Sequence, residues 1–150
     1  MSPESGRIFA TRIPVRFGDC DPAGIVFYPR YFEMINGLVE DWCGQALGTS
    51  FHDMHLRDGW GLPTVHLETD FLAPSELGEN LQGELRVEKM GGASLHLAIR
   101  LLGPDNAERV RAQLVLVSMD LKERRAIPMP QEFAIRARAF CNTDTVRPTN

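Results

Sequence analysis

The chain has 150 residues, 43% of them hydrophobic, which is the length and composition of one ordinary domain with its own core. Its net charge is -4 with acidic and basic residues interleaved, and this excludes the basic stripe of a general nucleic-acid binder. The 3 cysteines, Cys20, Cys43 and Cys141, are far apart and form no Cys-x-x-Cys pair, so neither a disulfide framework nor a zinc site is expected.

Residues 8–17 mix apolar, Thr and Arg side chains and read as a first strand, with Pro14 marking an edge or a bulge. Gly18, Asp19, Asp21, Pro22 and Gly24 then crowd together, a density of turn formers that marks a loop. Tyr28, Tyr31, Phe32, Ile35, Leu38, Val39, Trp42 and Ala46 recur at helical spacing on one face and predict a long helix. Pro29 suits its first turn, and Gly44 and Gly48 are candidate stops. Residues 49–61 read as irregular. Strand-like runs follow at Leu62 to Leu72, Leu81 to Met90, Leu95 to Leu102 and Arg109 to Leu121. Gly91-Gly92 reads as a hairpin turn between the second and third of these, and Gly103 to Asn106 as the next turn. Residues 131–141, after Pro128 and Pro130, predict a short terminal helix.

No repeat or linker divides the chain, so one α+β domain over residues 1–150 is expected, a long helix against an antiparallel sheet. One helix covers one face and leaves the other for solvent, a ligand or a second subunit. The first seven residues lack an apolar run behind a basic end, and no stretch reaches membrane-spanning length. A cytoplasmic protein with no membrane contact is expected.

The segment Phe17-Gly18-Asp19-Cys20-Asp21-Pro22-Ala23-Gly24-Ile25-Val26-Phe27-Tyr28-Pro29-Arg30-Tyr31 resembles the signature of the 4-hydroxybenzoyl-CoA thioesterase family, within the hotdog-fold superfamily. Pro128 to Phe133 is similar to the family's usual ending. The resemblance implies a five-stranded antiparallel sheet wrapped around a central helix, paired edge to edge into a homodimer or homotetramer with active sites at the subunit interface. It implies hydrolysis of an acyl-CoA thioester, with Asp21 as nucleophile or general base and the Tyr28 backbone N–H polarising the carbonyl. It also places Gly24, Ile25, Asn36, Leu62, Thr64, His66 and Lys89 around the substrate. No cofactor is implied, because CoA enters as part of the substrate.

The chemistry suits these residues. Thioester hydrolysis needs a nucleophile or an activated water, and donors aimed at the carbonyl oxygen where negative charge develops. A carboxylate in a tight loop before a helix supplies the first, and free amides at the helix N-terminus supply the second. By itself, an Asp ahead of a helix reads more readily as a cap or a turn residue, and it is the match of the whole segment to the family signature that favours the catalytic role. Asp19 reads as an acceptor that orders the loop. Cys20 has no cationic neighbour in sequence to lower its pKa and reads as a packed thiol.

Three departures from the family pattern bear on the substrate. The hairpin Lys89-Met90-Gly91-Gly92-Ala93-Ser94 carries one cation where the family has a basic cluster for the CoA phosphates, leaving Arg86 or Arg124-Arg125 as other candidates. Asn36 stands where the family has an Asp beside a phenolic hydroxyl. Leu62 replaces a polar Thr before Pro63. An aromatic, benzoyl-type acyl-CoA or a medium-chain acyl-CoA is therefore expected, with no commitment to 4-hydroxybenzoate.

His52 and His55 read as surface or loop residues, His66 as a weak pocket candidate and His96 as facing away from the apolar row. Arg136 and Arg138 read as a solvated helix face. Without a Gly-x-Ser-x-Gly elbow, an α/β-hydrolase thioesterase is excluded. A non-catalytic acyl-CoA or acyl-carrier binding protein on the same fold is the alternative function.

Overall fold

The computed structural model describes residues 6–141. Strand β1 (Phe9–Pro14) leads through a 3-10 turn (Phe17–Asp19) into helix α1 (Pro29–Asp41), which runs on as a π-helical turn (Trp42–Ala46). A second π-helical turn (Asp53–Arg57) precedes the short strand β2 (Trp60–Gly61). Then follow β3 (Thr64–Phe71), β4 (Asn80–Met90), β5 (Ser94–Leu102), β6 (Glu108–Val117), the two-residue strands β7 (Met119–Asp120) and β8 (Arg125–Ala126), and helix α2 (Gln131–Arg138).

The main sheet has five antiparallel strands in the order β1-β4-β5-β6-β3, and β2, β7 and β8 form a small second sheet. Alternation sorts the strand residues into faces. Leu81, Leu85 and Val87 of β4, Leu95, Leu97, Ile99 and Leu101 of β5, and Val110, Ala112, Leu114 and Leu116 of β6 are all buried. They meet Tyr31, Ile35, Leu38 and Val39, the buried stripe of α1. Full burial of a side chain such as Leu38 or Ile99 contributes about 1.5–3 kcal/mol. Trp42 is fully buried, with its ring edge-on to Phe133 and Phe140, so α2 closes the far end of the core. This is the hotdog arrangement.

Pro14 lies on an edge strand, where its missing N–H leaves no gap in the ladder. At the opposite edge, β3 is exposed along almost its whole length, including Val65, Leu67 and Phe71.

Three segments differ from the sequence reading. The run Arg109 to Leu121 is not one strand but divides at Ser118 into β6 and β7, which belong to different sheets. Residues 49–61 are ordered, because Met54 is fully buried and the Met54 N–H donates to the Ser50 carbonyl, which folds Asp53–Arg57 into a turn of helix. Arg136 is also no purely solvated residue. Its guanidinium donates to the Leu47 carbonyl at 2.8 Å, just beyond the π-helical turn, where Gly48 takes φ +68°.

Candidate active site

The loop that carries Asp21 closes on itself. Gly24 sits at φ +80°, a conformation that disfavours a side chain, and lets the chain reverse so that Cys20 bridges Val26. The Asp21 N–H donates to the Ile25 carbonyl at 3.0 Å, and the Gly24 N–H donates back to the Asp21 carbonyl at 3.0 Å. Asp19 braces the loop: its Oδ2 accepts from the Arg16 N–H at 2.9 Å, and its carbonyl accepts from the Phe27 N–H at 2.9 Å.

Within this frame the half-buried Asp21 carboxylate has one fixed oxygen. Oδ1 accepts from the Ala23 N–H at 2.9 Å, while Oδ2 has no hydrogen-bond partner among the described residues. The turn therefore occupies one oxygen of the side chain and leaves the other open. The neighbouring Cys20 thiol is pushed up from its ordinary pKa, first by desolvation and then by the charges of Asp19 and Asp21. Its Sγ lies 3.5 Å from the Arg16 carbonyl. A thiol in that setting stays protonated and is a poor nucleophile.

Tyr28 is the residue before α1, at φ -52°. Its N–H has no acceptor among the described residues, and Pro29 beside it has no N–H at all. The one free donor at this point lies where the helix macrodipole is positive.

The loop is held from behind by residues 73–79. The Val26 N–H donates to the Ser75 carbonyl at 2.9 Å, the Leu77 N–H to the Gly24 carbonyl at 3.0 Å, and the buried Tyr31 hydroxyl to Ser75 Oγ at 2.9 Å. Arg109 in turn anchors that segment. It reaches the Pro74 carbonyl at 2.7 Å and the Glu79 carboxylate at 2.9 Å, with only 10% of its side chain exposed. The hydrogen bond from Arg109 holds the Glu79 carboxyl below its ordinary pKa.

A cavity of about 420 Å³ lies along the middle of α1. Phe32, Ile35, Asn36 and Val39 present one helix face to it, and Phe51 and His55 close one side. The run Gly61 to Thr64, then Leu67, Leu114, Leu116, Met119 and Leu121 complete the wall. A shallower cleft of about 300 Å³ includes Val26, Tyr28, Tyr31 and Phe71. The Phe71 ring touches Tyr28, Tyr31 and Phe32 at centroid distances of 5.9, 5.9 and 6.1 Å. It thus joins the N-terminus of α1 to the cavity wall.

Of the residues singled out from sequence, Asp21, Gly24, Ile25 and Tyr28 share the loop and helix start, and Asn36, Leu62 and Thr64 line the cavity. His66 lies outside the cavity, in a groove with His96, its imidazole 3.2 Å from the Glu68 carboxylate. Lys89 is exposed near the end of β4, opposite His96 in the β5 register. Reading His55 as a surface or loop residue is corrected: it is half-buried and forms part of the cavity wall. The spacing of Phe51, Met54 and His55 is the helical signal that marks it.

Residues 15–136, which span the Asp21 loop, α1 and the whole cavity lining, match the model of the thioesterase-like superfamily, and the chain belongs to that superfamily. Among individual relatives, it is 27% identical over 131 residues to the 1,4-dihydroxy-2-naphthoyl-CoA hydrolase of Synechocystis, covering 87% of this chain and 92% of that one. A crystal structure of a 1,4-dihydroxy-2-naphthoyl-CoA thioesterase from Synechocystis shares the fold with a TM-score of 0.80 at 24% identity, over 87% of this chain and 96% of that one. A Staphylococcus aureus protein solved in complex with CoA gives 0.84 at 16% identity, over 97% and 90%.

Proposed function

We propose that this chain is an acyl-CoA thioesterase that hydrolyses an aromatic acyl-CoA to the free acid and CoA. The observation that carries the reading is the pairing of Asp21, one carboxylate oxygen fixed and the other unpartnered, with the unpartnered Tyr28 N–H at the start of α1. Asp21 either attacks the thioester carbon or takes a proton from the water that does. The Tyr28 N–H, with the positive end of α1 behind it, holds the oxygen as it becomes an oxyanion. Collapse of the tetrahedral species breaks the C–S bond, and CoA leaves as a thiolate that takes up a proton. On the nucleophilic route, water then hydrolyses the mixed anhydride and restores the carboxylate.

The cavity suits the acyl group. Its volume falls in the range of about 300–1,000 Å³ typical of small-molecule sites, and its walls are apolar with aromatic rings at Phe32 and Phe51. The Synechocystis relative is a hydrolase of a naphthoyl-CoA, which favours an aromatic over a medium-chain acyl group. The loop follows the 4-hydroxybenzoyl-CoA thioesterase pattern, whereas Asn36 and Leu62 set a different acyl preference. Gly24 and Ile25 border the thioester, and Lys89 offers a cation to the CoA phosphates. Neither the carboxylate nor the amide needs a cofactor. A second copy pairs along β3, whose exposed apolar edge is otherwise an aggregation hazard, giving a homodimer. The thiols of Cys20 and Cys43 fit a reducing cytoplasm.

The test is thiol release from a panel of aromatic, short, medium and long acyl-CoA thioesters. Fastest turnover on an aromatic member is expected. A medium-chain optimum would correct the acyl class, and no turnover on any member would refute the enzyme.

A further inference from the structure

Among the polar groups that line the cavity, His55 is the half-buried one, and the proposed reaction does not use it. His55 Nδ1 lies 2.7 Å from the Phe51 carbonyl. A carbonyl only accepts, so the proton of this hydrogen bond sits on Nδ1. In the neutral imidazole that leaves a lone pair on Nε2. Nε2 has no hydrogen-bond partner among the described residues.

The ring is fixed in that orientation from several sides. The Phe51 ring packs against it with centroids 5.2 Å apart, and fully buried Met54 anchors the helical turn that carries it. Gly61, which also lines the cavity, faces the free edge of the imidazole. A Cβ at position 61 would stand 3.0 Å from Nε2 and 3.2 Å from Leu121 Cδ2, so any side chain there would crowd this edge. Asn36 and Thr64 are exposed, whereas His55 is half-buried in a mostly apolar wall. A lone acceptor left unpaired there is costly when a dry ring enters, and is satisfied when that ring brings a donor.

Resting on the thioesterase reading, we propose that His55 is a specificity-determining residue, whose Nε2 accepts a hydrogen bond from a hydroxyl group on the aromatic acyl ring. Hydroxylated aromatic acyl-CoA thioesters are then selected over their unsubstituted parents, because the parent leaves Nε2 desolvated and unpaired.

The test compares kcat/KM for benzoyl-CoA with its three monohydroxy isomers, and for 2-naphthoyl-CoA with 1,4-dihydroxy-2-naphthoyl-CoA. His55→Asn keeps an amide donor in reach of the Phe51 carbonyl and removes the acceptor at Nε2. His55→Gln instead carries an amide to the place of Nε2. The wild-type chain is expected to favour at least one hydroxylated member over its parent by about tenfold or more. His55→Asn should lower that ratio about tenfold, and His55→Gln should restore part of it. A ratio that His55→Asn leaves unchanged, or a wild-type chain with no preference for any hydroxylated member, overturns the role of His55 and leaves the thioesterase standing. A wild-type chain that hydrolyses none of these substrates overturns the role of His55 and the aromatic acyl class together.

Discussion

The Asp21 loop and the cavity beside α1 are held in place by different means. The loop is local: its bridge, its Asx turn and its positive-φ glycine fall within residues 16–28, and residues 73–79 brace it from behind. The cavity is assembled from residues 32 to 121, and its walls meet only because the sheet folds over α1. On the proposed reading, hydrolysis is assigned to the local element and recognition of the acyl ring to the assembled one.

The largest expected effect separates the Tyr28 backbone from its side chain. Tyr28 already holds φ -52°, within the proline range, so Tyr28→Pro removes the N–H with little change in that angle. It should cost about a hundred- to a thousandfold in kcat, as loss of an oxyanion donor does, while Tyr28→Ala keeps most activity. Equal losses in the two variants would shift the role to the ring.

Next comes the brace behind the loop. Arg109→Met strands the Glu79 carboxylate and the Pro74 carbonyl, and should destabilise the chain by about 3 kcal/mol in denaturant unfolding. The figure sits at the low end for a broken buried pair because Glu79 is 21% exposed. The depressed Glu79 pKa fixes the pH dependence. Its stabilising contribution is present above the ordinary value of 4.5 and is lost as pH falls through the lower folded value. Glu79→Gln should therefore flatten the acid side of the stability profile below about pH 5.

Two smaller effects sharpen the contrast. Asn36→Ala should change the order of preference among ring-substituted benzoyl-CoA substrates by about tenfold or less, with kcat on the best substrate retained. An unchanged order would remove Asn36 from the site. Arg136→Ala, which frees the Leu47 carbonyl, should cost about 1 kcal/mol in stability and leave turnover alone.

The same contrast explains what could be read from the amino-acid order. Helix α1 and the strands were legible because one-sided burial imposes periods that survive in sequence, as in Leu95, Leu97, Ile99 and Leu101. The Asp21 loop was legible because its residues are contiguous. Asn36, Leu62 and Thr64, which line the cavity, follow from the family resemblance and from no local pattern. His55 was not reached, because Gly59, Gly61 and the nearby aspartates mask a helical turn whose only strong anchor is Met54. Arg136 was missed for a related reason: its partner, the Leu47 carbonyl, is remote in sequence and no local pattern announces it.

The central claim is that the Asp21 carboxylate performs the hydrolysis at the start of α1. Its most direct test is a paired measurement on wild type and Asp21→Asn: turnover of an aromatic acyl-CoA and, on the same preparations, its binding affinity. The account predicts a loss of at least about a thousandfold in kcat with affinity within about threefold. An Asp21→Asn variant that turns over at near wild-type rate would contradict it.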